Sequence, residues 1–149
     1  MTAELVEEVT LRMPLSRGWT WADLQQLPER DGHRYEIVDG SLYVSPSPSR
    51  PHQVAAGRIR DLLLEAAPDD VEALETVDVD MGDNVFQPDV VVMPASAAYS
   101  AVGPLEPGQV LLAVEVVSPP SRRMDRLMKP AVLGEAGVLA ELVGPRRRG

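Results

Sequence analysis

The stretch "LLAVEVVSPP", Leu111 to Pro120, decides the fold. It is a run of apolar, β-favouring residues, and such a run reads as a strand buried in the middle of a sheet. Glu115 stands at its centre. A carboxylate among Leu, Ala and Val is costly to bury, so it must be neutralised, paired or bound to a cation.

The segments on either side read as the rest of an α/β fold. Downstream, "SRRMDRLMKPAVLGEAG" reads as a helix capped by Ser121 and ending near Gly137, with Pro130 kinking it or starting its second part. Upstream, "VFQPDVVVMP" and "ETVDVDM" read as two strands joined by the turn "GDN". "ASAAYSAVGPLEPGQ" reads as a loop with one helical turn. Before these, "HQVAAGRIRDLLLEAAP" has apolar residues at helical spacing and stops at Pro68. "HRYEIVDGSLYVSPSPS" is a hairpin about Asp39-Gly40, the pair that tight type I′ turns favour. "TWADLQQLPE" starts a short helix, with Thr20 as cap and Asp23 at the capping-box position. The expected architecture is α/β, a mixed central sheet flanked by helices.

Composition limits the function classes. The 149 residues carry a net charge of -9, with 44% hydrophobic and 25% charged residues. That is an ordinary soluble composition, and its sign argues against a simple nucleic-acid coat. The charge is uneven: no Lys or Arg lies between Arg60 and Arg122, whereas from Pro120 onward 7 basic residues face 3 acidic ones. An anionic partner is therefore expected on one face only. No apolar run is long enough to span a bilayer, and "MTAELVEEVT" lacks the features of a signal peptide. With no Cys, the chain is expected to be cytoplasmic and has neither disulfides nor thiolate metal sites.

Two carboxylates fall on strands expected to be neighbours: Asp89 after Pro88, and Glu115. Side by side they make a hard-oxygen site suited to Mg²⁺ or Mn²⁺, although acids at strand ends also face solvent or pair with Arg. Arg122, Arg126 and Lys129 recur at helical spacing in the next helix. A Lys from that helix can lie over the site and stabilise charge on a phosphate, or the residues can form a solvated basic face. His52 is either a group touching the site or an ordinary helix-end histidine. Trp19, Trp21, Tyr35 and Tyr43 read as core or hairpin packing.

The strings "HRYEIVDGSLYVSPSPSRPHQVAAGRI", "QPDVVVMP" and "LLAVEVVSPPSRRMDRLMKPAVLGEAG" together resemble the Uma-two family of bacterial restriction-endonuclease-like proteins, in the PD-(D/E)xK nuclease superfamily. The resemblance runs from about Trp19 to Val138. It implies a restriction-endonuclease-like fold and Mg²⁺- or Mn²⁺-assisted hydrolysis of DNA phosphodiester bonds. Asp89 and Glu115 would hold the metal, and the backbone carbonyl of Val116 would complete its shell. The Lys expected two residues after Glu115 is Val117 here. In this family the Lys has moved to the following helix, which implies Lys129. Glu36 matches an early acidic residue that orients this Lys or a water. His52, Arg122 and Arg126 are the implied substrate-side groups.

The ending departs from the family. Where an aromatic-rich strand and further strands are usual, the chain reads "VLAELVGPRRRG". The expected layout is a loose lead-in over residues 1–13, an incomplete nuclease-like domain over 14–138, and a divergent, disordered tail over 139–149. The C-terminal strands are expected to be missing, and an open sheet edge invites a homodimer. The rival expectation is a degenerate nuclease fold that serves as a binding or assembly module, or has no function.

Overall fold

The hairpin forms where side-chain alternation and turn chemistry agree. β1 (His33–Val38) and β2 (Ser41–Pro46) pair antiparallel, with Tyr35 opposite Val44 and Val38 opposite Ser41. Asp39 and Gly40 between them have φ of 47° and 74°, the two positive values a type I′ turn requires. Gly40 also packs on Gly18, where an added Cβ would lie 3.0 Å from the Gly40 Cα. α1 (Trp21–Leu24) begins as expected, with both the backbone N–H and the hydroxyl of Thr20 donating to Asp23. The computed structural model describes residues 17–28, 32–100, 103–117 and 127–144.

The fold is mixed α/β, as expected, and its strands form two four-stranded sheets among the described residues. The first has the order β2-β1-β5-β4 and is antiparallel. The second, β3-β6-β7-β8, is mixed, because β7 and β8 run parallel.

The division falls at two places along the chain. "ETVDVDM" is interrupted at Thr76, whose φ is 58°, a conformation a β-branched residue rarely adopts and no strand accommodates. Of that expected strand only β4 (Val79–Asp80) forms, in the first sheet; β3 (Val71–Leu74) precedes the stretch, was not expected, and lies in the second sheet. "VFQPDVVVMP" is interrupted at Gln87–Asp89: Pro88 has no N–H to give to a ladder. β5 (Val85–Phe86) thus belongs to the first sheet and β6 (Val90–Pro94) to the second.

β7 (Leu112–Val116) is a central strand, as its apolar run demands. β8 (Ala140–Val143) runs beside it, with Leu142 opposite Glu115 and Val143 opposite Val116. This corrects the expected boundary at 138, since Ala113 and Val117 donate to the carbonyls of Leu139 and Val143 and tie the segment into the sheet. The lead-in lies within residues 1–16, which with residues 145–149 of the tail are outside the described residues.

Alternation along β6 and β7 builds a core on each face of the second sheet. Val91, Met93 and Ala113 pack with Phe86, Leu133 and Val138. Val90, Val92, Val114 and Val116 pack with Ala56, Ile59 and Leu63 of α2 (Arg50–Ala66). α4 (Lys129–Glu135) brings Leu133 to the first of these faces. It ends where Gly137 turns to φ 82° and Val138 donates to the Leu133 carbonyl, a Schellman closure. α3 (Ala95–Ala98) and a 3₁₀ turn at Pro107–Gln109 supply the helical turns of the long loop. Trp19, Leu24, Ile37 and Val85 form a third cluster, with Trp21 and Tyr35 against it. Tyr43 is 44% exposed and stays outside the core. No helix of the described residues is long and apolar enough to cross a membrane.

Candidate active site

The buried charged residues of the fold are Glu36, Asp89, Glu115 and Lys129, at 5% exposure or less among the described residues. They arrive from four parts of the chain. Glu36 lies on β1, Asp89 at the switch between β5 and β6, Glu115 on β7 and Lys129 at the start of α4. Strand and helix periodicity explain the convergence. Glu115 shares the face of Ala113, two residues earlier. Lys129 shares the face of Leu133, four residues later. That is the face of the second sheet on which Ala113 and Leu133 pack together.

Glu115 is therefore neutralised by pairing. Lys129 Nζ lies 3.3 Å from Glu115 Oε1 and 2.8 Å from Glu36 Oε1. The same Glu36 oxygen accepts the backbone N–H of Gln87 at 2.8 Å. The ammonium also sits 5.7 Å from the Phe86 ring centroid, within cation–π range. Gln87 extends the network outward, donating its side-chain amide to Asp78, which also accepts from the Trp21 indole. Burial pushes the Asp78 carboxyl above its ordinary range, against those two hydrogen bonds.

Asp89 is held by three donors. Its Oδ2 accepts the Val116 backbone N–H at 2.7 Å and faces His52 Nε2 at 3.2 Å. Its Oδ1 accepts from Arg34 at 3.0 Å. Burial raises the Asp89 carboxyl, but the His52 hydrogen bond, the Arg34 charge and the Val116 N–H outweigh it, and its pKa lies below the ordinary value. His52 moves the opposite way: its hydrogen bond to Asp89 raises it more than burial lowers it. The imidazole reaches the site from the first turn of α2, where Ser49 caps the helix and accepts the His52 N–H. His52 Nε2 also lies 3.0 Å from the Val116 carbonyl.

The structure thus forms two groups, Lys129 with Glu36 and Glu115, and Asp89 with His52, Arg34 and the Val116 backbone, and the Arg34 charge feels carboxylates of both. Val117, at the usual position of the superfamily Lys, is buried. Arg122 and Arg126 lie outside the described residues. Sequence reasoning missed Arg34 and Gln87. A signal for Arg34 was available, because it lies two residues before Glu36 on one strand and so on the same face. Gln87 acts mainly through its backbone N–H, which side-chain chemistry does not announce. Among the described residues no group of three or more His, Asp and Glu side chains is placed to hold a metal ion.

Comparison with known proteins agrees with this geometry at the level of fold and family. The chain is similar in structure to a crystal structure titled as a putative nuclease belonging to DUF820 from Anabaena variabilis. The TM-score is 0.67 at 16% identity, over 85% of this chain and 74% of that one. No curated protein matches the chain. The family model Uma2, described as "Putative restriction endonuclease", matches residues 21–143. That span contains both sheets and every residue of the cluster, and the chain belongs to the Uma2 family.

Proposed function

We propose that the chain is a Mg²⁺-dependent endonuclease that hydrolyses DNA phosphodiester bonds. The carrying observation is the buried Lys129–Glu115 pair together with Asp89, which is buried and bound to the N–H of Val116, the residue after Glu115. Asp89, Glu115 and the Val116 carbonyl are hard-oxygen donors, the type Mg²⁺ and Mn²⁺ take. Two carboxylates suffice by type, since Mg²⁺ keeps several waters and binds few protein ligands. A bound cation would supply Lewis-acid stabilisation of phosphate charge and a more acidic water. Lys129 contributes a fixed positive charge for the phosphate, oriented by Glu36. Glu36 is held in turn by the Gln87 N–H. His52, with Arg122 and Arg126, forms the substrate side. The acidic balance of the chain favours DNA contact on one face only.

One observation favours a second reading, a fold of this family that binds without cleaving. Asp89 already has Arg34, His52 and the Val116 N–H as partners, so it is stabilised without a metal. Plasmid cleavage in Mg²⁺ separates the two readings, with Asp89→Ala purified in parallel. Cleavage by the wild type alone supports the nuclease. Equal cleavage by both proteins means a contaminant, and a folded but inactive wild type favours the binding module.

A further inference from the structure

We propose that His52 occupies the position of the divalent cation, so that the site rests closed and a cation enters only as His52 leaves. This inference rests on the metal reading of Asp89 and the Val116 carbonyl above, and concerns how that site is regulated.

The argument begins with the two atoms that His52 touches. Nε2 lies 3.2 Å from Asp89 Oδ2 and 3.0 Å from the Val116 carbonyl oxygen. Both atoms are acceptors, so Nε2 must carry a proton and donate it between them. These are the same two oxygens that the metal reading assigns to the cation. An Mg²⁺ ion contacting both would sit about 2.1 Å from each, in the space the Nε2–H fills. In this arrangement Nε2 has no lone pair to offer as a ligand.

The neighbours reinforce the closure. Asp89 Oδ2 already accepts the Val116 N–H at 2.7 Å, so His52 brings it to two donors. Oδ1 carries the Arg34 guanidinium. A divalent ion arriving beside Arg34 would be repelled unless the local hydrogen bonds rearranged. His52 is the donor best placed to move. It stands in the first turn of α2, and its other ring nitrogen, Nδ1, is buried and has no hydrogen-bond partner among the described residues. Val116 is fixed by β7 and Arg34 by β1, while Asp89 is tied to β7 by the Val116 N–H. The imidazole is thus a donor in place of a cation, retained by two acceptors on one side only.

The test is calorimetric titration of Mn²⁺ into the full wild-type chain, His52→Ala and Asp89→Ala, each checked for a cooperative melt. Mn²⁺ is expected to bind His52→Ala at least tenfold more tightly than wild type, and Asp89→Ala not at all. A wild type that does not bind beside a His52→Ala that does is the same result in stronger form. Weaker binding by His52→Ala would make His52 a ligand and overturn the proposal, and unchanged affinity would place the cation elsewhere. If wild type binds as expected, the metal reading survives either of these failures. If neither wild type nor His52→Ala binds Mn²⁺, both the metal reading and this inference fall. A second readout needs no variant. In ¹⁵N-labelled wild type, saturating Mg²⁺ should release the His52 Nε2–H into rapid exchange with water. A hydrogen-bonded Nε2–H that persists at saturation overturns the proposal.

Discussion

Lys129 on α4 and Glu36 on β1 meet at 2.8 Å with side chains only 3% and 6% exposed. Such a pair costs desolvation to form, but breaking it leaves an uncompensated buried charge. Lys129→Met strands Glu36 and Glu115 together, and should lower unfolding free energy by about 3–5 kcal/mol. Urea denaturation of the metal-free protein measures this. A loss under about 1 kcal/mol, the range of an exposed pair, would mean the ammonium is not anchoring the fold.

Glu115→Gln should separate stability from metal response. Lys129 keeps Glu36 as its counter-ion, so the variant should still melt cooperatively. Mn²⁺ should raise the melting temperature of the wild type and leave that of Glu115→Gln unmoved, because only the native state of the former binds it. Equal stabilisation of both proteins would remove Glu115 from the cation's ligands.

The His52–Asp89 contact predicts a pH dependence in chelator-treated protein. The His52 pKa is raised above its ordinary 6.5, so its contribution to stability is complete below that value and lost as pH rises through the folded pKa. The Asp89 pKa is depressed below 3.8, so its contribution is present above that value and lost as pH falls through the folded pKa. For this pair, stability should be greatest between these windows. NMR titration should place the His52 pKa above 6.5 in the wild type and move it downward in Asp89→Asn. No movement in that variant would show that Asp89 does not set it.

Asp78 should matter beyond its distance from the cluster. Asp78→Ala leaves the Trp21 indole N–H and the Gln87 amide without their acceptor. The expected loss is about 1–3 kcal/mol in urea denaturation. A change below about 0.5 kcal/mol, typical of an ordinary surface site, would mean water replaces the carboxylate freely.

Much of this arrangement is legible in the residues. Asp39-Gly40 announces its turn because few other pairs accept positive φ twice, and β7 announces itself because only a central strand buries so apolar a run. Glu115 was conspicuous for the same reason, since a charge in that run needs a partner. The division into two sheets was not legible. It depends on Thr76 adopting φ 58°, which its β-branched side chain disfavours. β8 was missed because "AELV" has little pattern of its own and is ordered by hydrogen bonds to β7. Arg34 lay two residues from a residue already singled out, but a strand arginine ordinarily reads as surface. His52 was ambiguous because a helix-start histidine has no partner in the sequence; its partners are 37 and 64 residues away, at Asp89 and Val116.

The Glu36–Lys129 pair has a consequence for how the protein is made. The two residues stand 93 positions apart in the chain, so their contact is among the latest to be reached as a growing polypeptide collapses. A chain synthesised only to residue 128 carries Glu36 and Glu115 without the ammonium that pairs with both. The buried cluster is thus completed only once Lys129 has been added, and until then Glu36 and Glu115 lack the ammonium that neutralises them.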